Sequence, residues 1–152
     1  MTMSLRDMTQ AECFSVLEES RFGHLACSKD GQPYVVPIYF AYQNGIAYAF
    51  SMPGRKIDSM RENDKVCLQA QRWQAGKSWA SVVVEGRYQE FPDTEVWRSE
   101  RLHAWSLLQK HSDWWEIGAL KPHELPVAAK SPHVFYGILL REVTGRTAAA
   151  VE

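Results

Sequence analysis

The segment Ser51-Met52-Pro53-Gly54-Arg55-Lys56-Ile57-Asp58 concentrates groups that can do chemistry. A strand-like run ends in a hydroxyl, turns through Pro-Gly and enters a short helical pattern carrying two cations. The first amides of a helix lack an intrahelical acceptor and carry partial positive charge. Ser51, those amides, Arg55 and Lys56 would together hold an anion, and a phosphate suits such a set. Spacing alone favours a plainer reading, a turn with two solvated cations. There is no Walker pattern and no G-x-G-x-x-G, so neither a P-loop nor a Rossmann site is supported.

A second group lies in Trp79-Ala80-Ser81-Val82-Val83-Val84-Glu85-Gly86. Ser81 is the one hydroxyl among apolar strand residues. It can bond a ligand, although bonding to backbone is the commoner fate of such a group. Gly86 marks a bulge or a sharp bend. The five histidines, His24, His103, His111, His123 and His133, share no short ligand spacing, and no cysteine joins them in a finger-like pattern. No metal site is expected. No serine lies in G-x-S-x-G, which disfavours an α/β-hydrolase. No residue stands out as a general acid or base.

The elements that must carry these groups follow from local signals. Thr9-Gln10-Ala11-Glu12 reads as a capping box, so a helix is predicted over 10–19 with Cys13, Phe14 and Leu17 inward. Strands are predicted over 22–28, 33–42 and 46–51, joined by Asp30-Gly31 and Asn44-Gly45 turns. Pro37 places an edge, a bulge or a ligand-facing gap in the second of them. A short helix over 55–62 follows, then strands over 65–71 and 78–88. A second substantial helix runs from 91–94 to about 110, with Trp97, Arg101, Leu102, Trp105 and Leu108 inward. A last strand covers 134–143. Residues 111–132, with Trp114 and Trp115, have no clean period.

The fold class expected is mainly β with flanking helices: a six-stranded antiparallel split β-barrel forming one domain over 1–152. Six strands with few charges tend to close and remove exposed edges. The net charge of −1 argues against a nucleic-acid surface, which needs an excess of Lys and Arg. The longest apolar runs, 35–42 and 134–140, are far below the roughly 20 residues of a spanning helix. The opening Met1–Arg6 lacks the basic and apolar regions of a signal peptide. Three widely spaced cysteines, Cys13, Cys27 and Cys67, suggest no disulfide framework. A reduced, cytoplasmic protein without membrane or nucleic-acid partners is expected.

Taken in order, Gly23-His24-Leu25-Ala26, Asp30 to Ile38, Gly54-Arg55-Lys56-Ile57, Lys65-Val66-Cys67 and Ser81 to Gly86 resemble the pyridoxamine 5′-phosphate oxidase-like family of FMN-binding split β-barrel proteins. Within it, the nitroimidazole-resistance (Nim-type) branch is the most similar. The resemblance covers about residues 8–90, and the final strand is compatible with it; residues 111–132 match no motif.

The resemblance implies a homodimer with FMN at the subunit interface. Ser51, Arg55 and Lys56 match the phosphate-binding segment. Pro37, Ile38 and Tyr39 match the strand whose backbone passes the flavin ring, and Trp79 and Ser81 match the strand that closes the site. His24 matches a position near the active site of the Nim-type branch, and is the one weak catalytic candidate. The function implied is an FMN-dependent oxidoreductase acting on a small organic substrate, such as a nitro compound or a quinone. The alternatives are a non-catalytic flavin-binding module and a haem or deazaflavin (F420) user of the same fold.

Overall fold

Thr9 sets the start of the first helix, α1 (Gln10–Glu19). Its hydroxyl accepts the Glu12 amide at 3.2 Å, and the Glu12 carboxylate accepts the Thr9 amide at 2.9 Å. The box is the predicted one. Arg6, from the strand β1 (Thr2–Asp7), closes it from outside with two bonds to Glu12 at 2.9 and 2.8 Å. Cys13, Val16 and Leu17 form the buried stripe; a leucine taken fully out of water contributes roughly 1.5–3 kcal/mol. The structure is a computed structural model and describes residues 2–74, 78–110 and 132–151. The segment 111–131, with Trp114 and Trp115, lies outside the described residues.

Both predicted hairpin turns are present. β2 (Phe22–Lys29) and β3 (Gln32–Tyr39) are joined by Asp30 and Gly31, with φ of 51° and 76°. β4 (Ala41–Gln43) and β5 (Ile46–Ser51) are joined by Asn44 and Gly45, with φ of 48° and 81°. Two successive positive φ values are the signature of the turn that matches strand twist. Then come α2 (Arg55–Glu62), β6 (Lys65–Trp73), β7 (Trp79–Phe91), a short 3-10 turn, α3 (Arg98–Leu108) and β8 (Val134–Val151).

All strand pairs are antiparallel. The order is β3-β2-β6-β7-β8-β5-β4, with β1 added on β8. β3 and β4 stand at opposite ends of that order, yet Phe40 alone separates them in sequence. The sheet must therefore curl until its two edges meet at Phe40. That geometry is a barrel split along one seam, and the main core fills it. Phe40 is buried there and its N–H donates to the Arg21 carbonyl at 3.0 Å. α1 packs against β4, β6, β7 and β8, and α2 lies over β2.

The mainly β, antiparallel class is as expected; the strand count among the described residues is eight. The predicted strand over 33–42 divides at Phe40 because each half serves a different edge. β8 runs on to Val151, and β1 pairs along that extension from Thr2↔Val151 to Asp7↔Arg146. The predicted bulge at Gly86 is present: the β7–β8 register shifts between Glu85 and Gly86. A Cβ on Gly86 would stand 2.7 Å from the Leu139 carbonyl. In α3 the buried stripe is Arg101, Ala104, Trp105, Leu107 and Leu108. Leu102 is instead 45% exposed, because the spacing 101, 104, 105, 108 follows the helical period and 102 falls outside it.

Candidate functional site

The start of α2 differs from that of α1. Its N-cap is Gly54, and no side chain caps the first amides. The next two residues are cations, although the positive end of a helix favours acids; each charge at a helix end is worth roughly 0.3–1 kcal/mol. Open amides and two cations can receive an anion, with Asp58 of the same turn and Asp30 as the carboxylates beside them. Gly54 itself is extended, and a Cβ there would meet nothing within 4 Å.

Arg55 is exposed, and its guanidinium lies 4.4 Å from the centre of the Tyr34 ring. That cation–π contact holds the charge beside β3 while leaving it accessible. A cleft of ≈ 470 Å³ opens here, lined by Lys29, Gln32, Tyr34, Gly54, Arg55 and Ser59 among others. Lys56 is turned the other way and is 7% exposed. Its charge is felt by Cys27, whose thiol is pushed up by burial and eased down by Ser59, Lys56 and Arg55. Ser51 is buried, and its hydroxyl donates to the Met52 carbonyl at 3.1 Å.

A second cluster occupies the outward face of the sheet. The alternation of β2, β3, β6 and β7 places His24, Pro37, Tyr39, Gln69 and Ser81 on that face. Pro37 stands opposite His24. Phe22 is edge-on to both Tyr39 and His24, with ring centres 5.7 and 5.5 Å apart. His24 Nδ1 lies 3.3 Å from Gln69 Oε1. The Gln69 Nε2 group donates to Ser81 Oγ at 3.1 Å and to Gln71 Oε1 at 3.2 Å. A cleft of ≈ 350 Å³ beside this chain is lined by Arg21, Phe22, His24, Gln69, Gln71 and Trp73, among others.

The predicted site residues thus fall into two groups that share β3. Tyr34 on its inner side carries Arg55; Pro37 and Tyr39 on its outer side face His24 and Phe22. Ile38 points into the core and is 2% exposed, so its backbone is the part left at the sheet edge. Trp79 is half-buried opposite Trp73 at the far end of β7, and its carbonyl accepts the Thr147 hydroxyl at 2.8 Å. Sequence reasoning passed over Gln69 and Tyr34. The signal for Gln69 is the alternation Cys67, Gln69, Gln71, which puts two amides on the outward side of β6 opposite the buried Val66, Leu68 and Ala70. Tyr34 has no comparable signal, because its role rests on a helix twenty residues further on. Among the described residues no group of three His, Cys, Asp or Glu is placed to hold a metal ion.

The sequence pattern of the pyridoxamine 5′-phosphate oxidase family matches residues 9–147. The chain belongs to that family. A relative in Rhizobium meliloti, an uncharacterised protein, is 47% identical over 150 residues, 99% of each chain. The crystal structure of an FAD-binding protein from Mesorhizobium loti is 50% identical, with 95% of this chain and 99% of that one covered and a TM-score of 0.81. A structure from Bacteroides thetaiotaomicron, described as a candidate 5-nitroimidazole antibiotic resistance protein, has a TM-score of 0.72 at 21% identity, over 97% and 90% of the two chains. This last likeness is one of fold. The predicted resemblance to the family is therefore found, and a structure described as a resistance protein is among its neighbours in fold. No helix among the described residues is long and apolar enough to cross a membrane.

Proposed function

We propose that the chain is a flavin-dependent oxidoreductase that works as a homodimer. The observation that carries the reading is the uncapped start of α2 with Arg55 beside it, in a member of this family. The flavin phosphate takes the amides after Gly54 and the Arg55 guanidinium. Lys56 adds charge from beneath, and Ser51 fixes the turn that presents them. A single anion site supports FMN as the first reading. FAD is the second reading: the Mesorhizobium loti relative is described as FAD-binding, and the ≈ 470 Å³ cleft that holds Arg55 also reaches Lys29.

The backbone of Pro37, Ile38 and Tyr39, at the β3 edge, would hold the ring. His24, Ser81 and Trp79 line the outward face. Bound flavin supplies hydride or electron transfer to a small organic acceptor such as a nitro compound or quinone; the protein supplies binding, orientation and exclusion of water. The same face supports the dimer. Val35 is 62% and Trp73 68% exposed, with Phe22 and Val83 also outward. A second copy laid on this face covers these groups and encloses the ring in an apolar, aromatic slot.

The test is direct. Purified protein is expected to be yellow or to take up about one flavin per chain, to scatter light as a dimer, and to oxidise NADH or NADPH when a nitro compound or quinone is supplied. Protein that takes up neither FMN nor FAD contradicts the reading. Flavin uptake without turnover across such acceptors leaves a flavin-binding module. A Soret band on haem addition, or preferential uptake of deazaflavin F420, moves the site to another cofactor.

A further inference from the structure

The polar chain on the outward face has a consequence for His24. The Gln69 amide has one oxygen and two N–H hydrogens, and the structure gives each a partner. Both hydrogens are directed to acceptors, Gln71 Oε1 and Ser81 Oγ. The remaining atom, Oε1, meets His24 Nδ1 at 3.3 Å. A carbonyl oxygen accepts and does not donate, so the proton of that bond belongs to Nδ1. Turning the Gln69 amide over sets its oxygen against the Gln71 oxygen, and Gln71 would then have to turn as well.

An imidazole held at Nδ1–H has its other nitrogen, Nε2, free to gain or lose a proton. Among the described residues Nε2 has no hydrogen-bond partner. Phe22 stands edge-on beside the ring. The charged groups lining the same cleft are Glu19 and Arg21, and Glu19 is engaged by Arg72 at 2.6 Å.

We propose that Gln69 is a positioning residue that keeps the proton on His24 Nδ1 in both charge states, so that Nε2 is the single atom of His24 that exchanges a proton with a ligand in the ≈ 350 Å³ cleft. As imidazolium, Nε2–H donates to an oxygen of a nitro or carbonyl group; as neutral imidazole, Nε2 accepts from an imide N–H or a hydroquinone O–H. The identity of those ligand groups rests on the flavin reading above. The tautomer does not, and it is a property of the protein without cofactor.

The experiment is a long-range ¹H–¹⁵N correlation spectrum of histidine-labelled, flavin-free protein in alkaline buffer, where imidazoles are neutral. His24 is assigned by the loss of its signals in His24→Asn. The expected pattern is a protonated Nδ1 and a bare Nε2. Gln69→Glu keeps an acceptor at the same place and should keep that pattern. Gln69→Leu removes it and should shift His24 towards the Nε2–H tautomer. A wild-type His24 protonated on Nε2, or a Gln69→Leu spectrum unchanged from wild type, overturns the proposal. Should Gln69→Leu not fold, the wild-type and Gln69→Glu spectra still decide. Failure to bind flavin, with the expected tautomer in place, would count against the cofactor and not against Gln69.

Discussion

Helix α1 begins on Thr9, whose hydroxyl and Glu12 partner take up its first amides, and Arg6 neutralises the acid from outside. Helix α2 begins on Gly54, which has no side chain to offer, and opens with two cations ahead of its own first-turn acid, Asp58. The two helices have similar lengths, 10 and 8 residues, and each has one face in the same core. What separates them is where their first amides find a partner. α1 is complete within the chain. α2 has no side-chain cap at the end that faces a cleft, and its first amides are open there to water or to a ligand.

The largest effect is expected from making α2 resemble α1. Gly54→Asp fits the extended backbone, and its Cβ meets open space. The new carboxylate caps α2 and gains about 0.3 kcal/mol or more in the flavin-free protein. It also occupies the phosphate's amides and repels the phosphate, so FMN affinity should fall at least about tenfold, roughly 1.4 kcal/mol. Thermal melts with and without FMN read both quantities. A variant that gains stability and keeps its FMN affinity would break the contrast.

The reverse change is smaller. Thr9→Ala opens α1 and should cost about 1 kcal/mol in urea unfolding. FMN affinity should stay within about twofold of wild type, because α1 is not where the ligand finds its charge. Smaller still is the acid sensitivity of α1. The Arg6 hydrogen bond first, then the Thr9 amide, holds the Glu12 carboxyl down to about 2. A depressed carboxyl stabilises the fold above its ordinary range, and that stabilisation is lost as pH falls through the folded value. Wild type should therefore lose stability between pH values of about 4 and 2, and the loss should be shallower in Glu12→Gln. An identical slope in the two proteins would remove Glu12 from the account.

The same contrast explains what could be read before the structure. The α1 box, the Asp30-Gly31 and Asn44-Gly45 turns and the Gly86 bulge are local: each is a few residues whose chemistry allows one conformation. The Pro-Gly entry to α2 and its two cations were legible for the same reason. Long-range pairing was not. β1 is exposed along its whole length, so no apolar period announces it. Its partner, the stretch after Val143 with Gly145 and Ala148–Ala150, is equally plain in sequence. Tyr34 and Gln69 belong to the site only because α2 settles beside β3 and β6 pairs between β2 and β7. Lys56 shows the limit from the other side. Adjacent in sequence to Arg55, it lies on the buried face one helical step away, which the pair Arg-Lys does not reveal.

The central claim is that α2 is left open for the phosphate of a flavin nucleotide. Titration of the flavin-free protein with FMN and with riboflavin, followed by quenching of flavin fluorescence, tests it most directly, since the two ligands share the ring and differ by that phosphate. Wild type should bind FMN at least about a hundredfold more tightly, roughly 2.7 kcal/mol, and Arg55→Ala should shrink the ratio by loss of FMN affinity alone. Equal affinities for FMN and riboflavin in wild type would contradict the account.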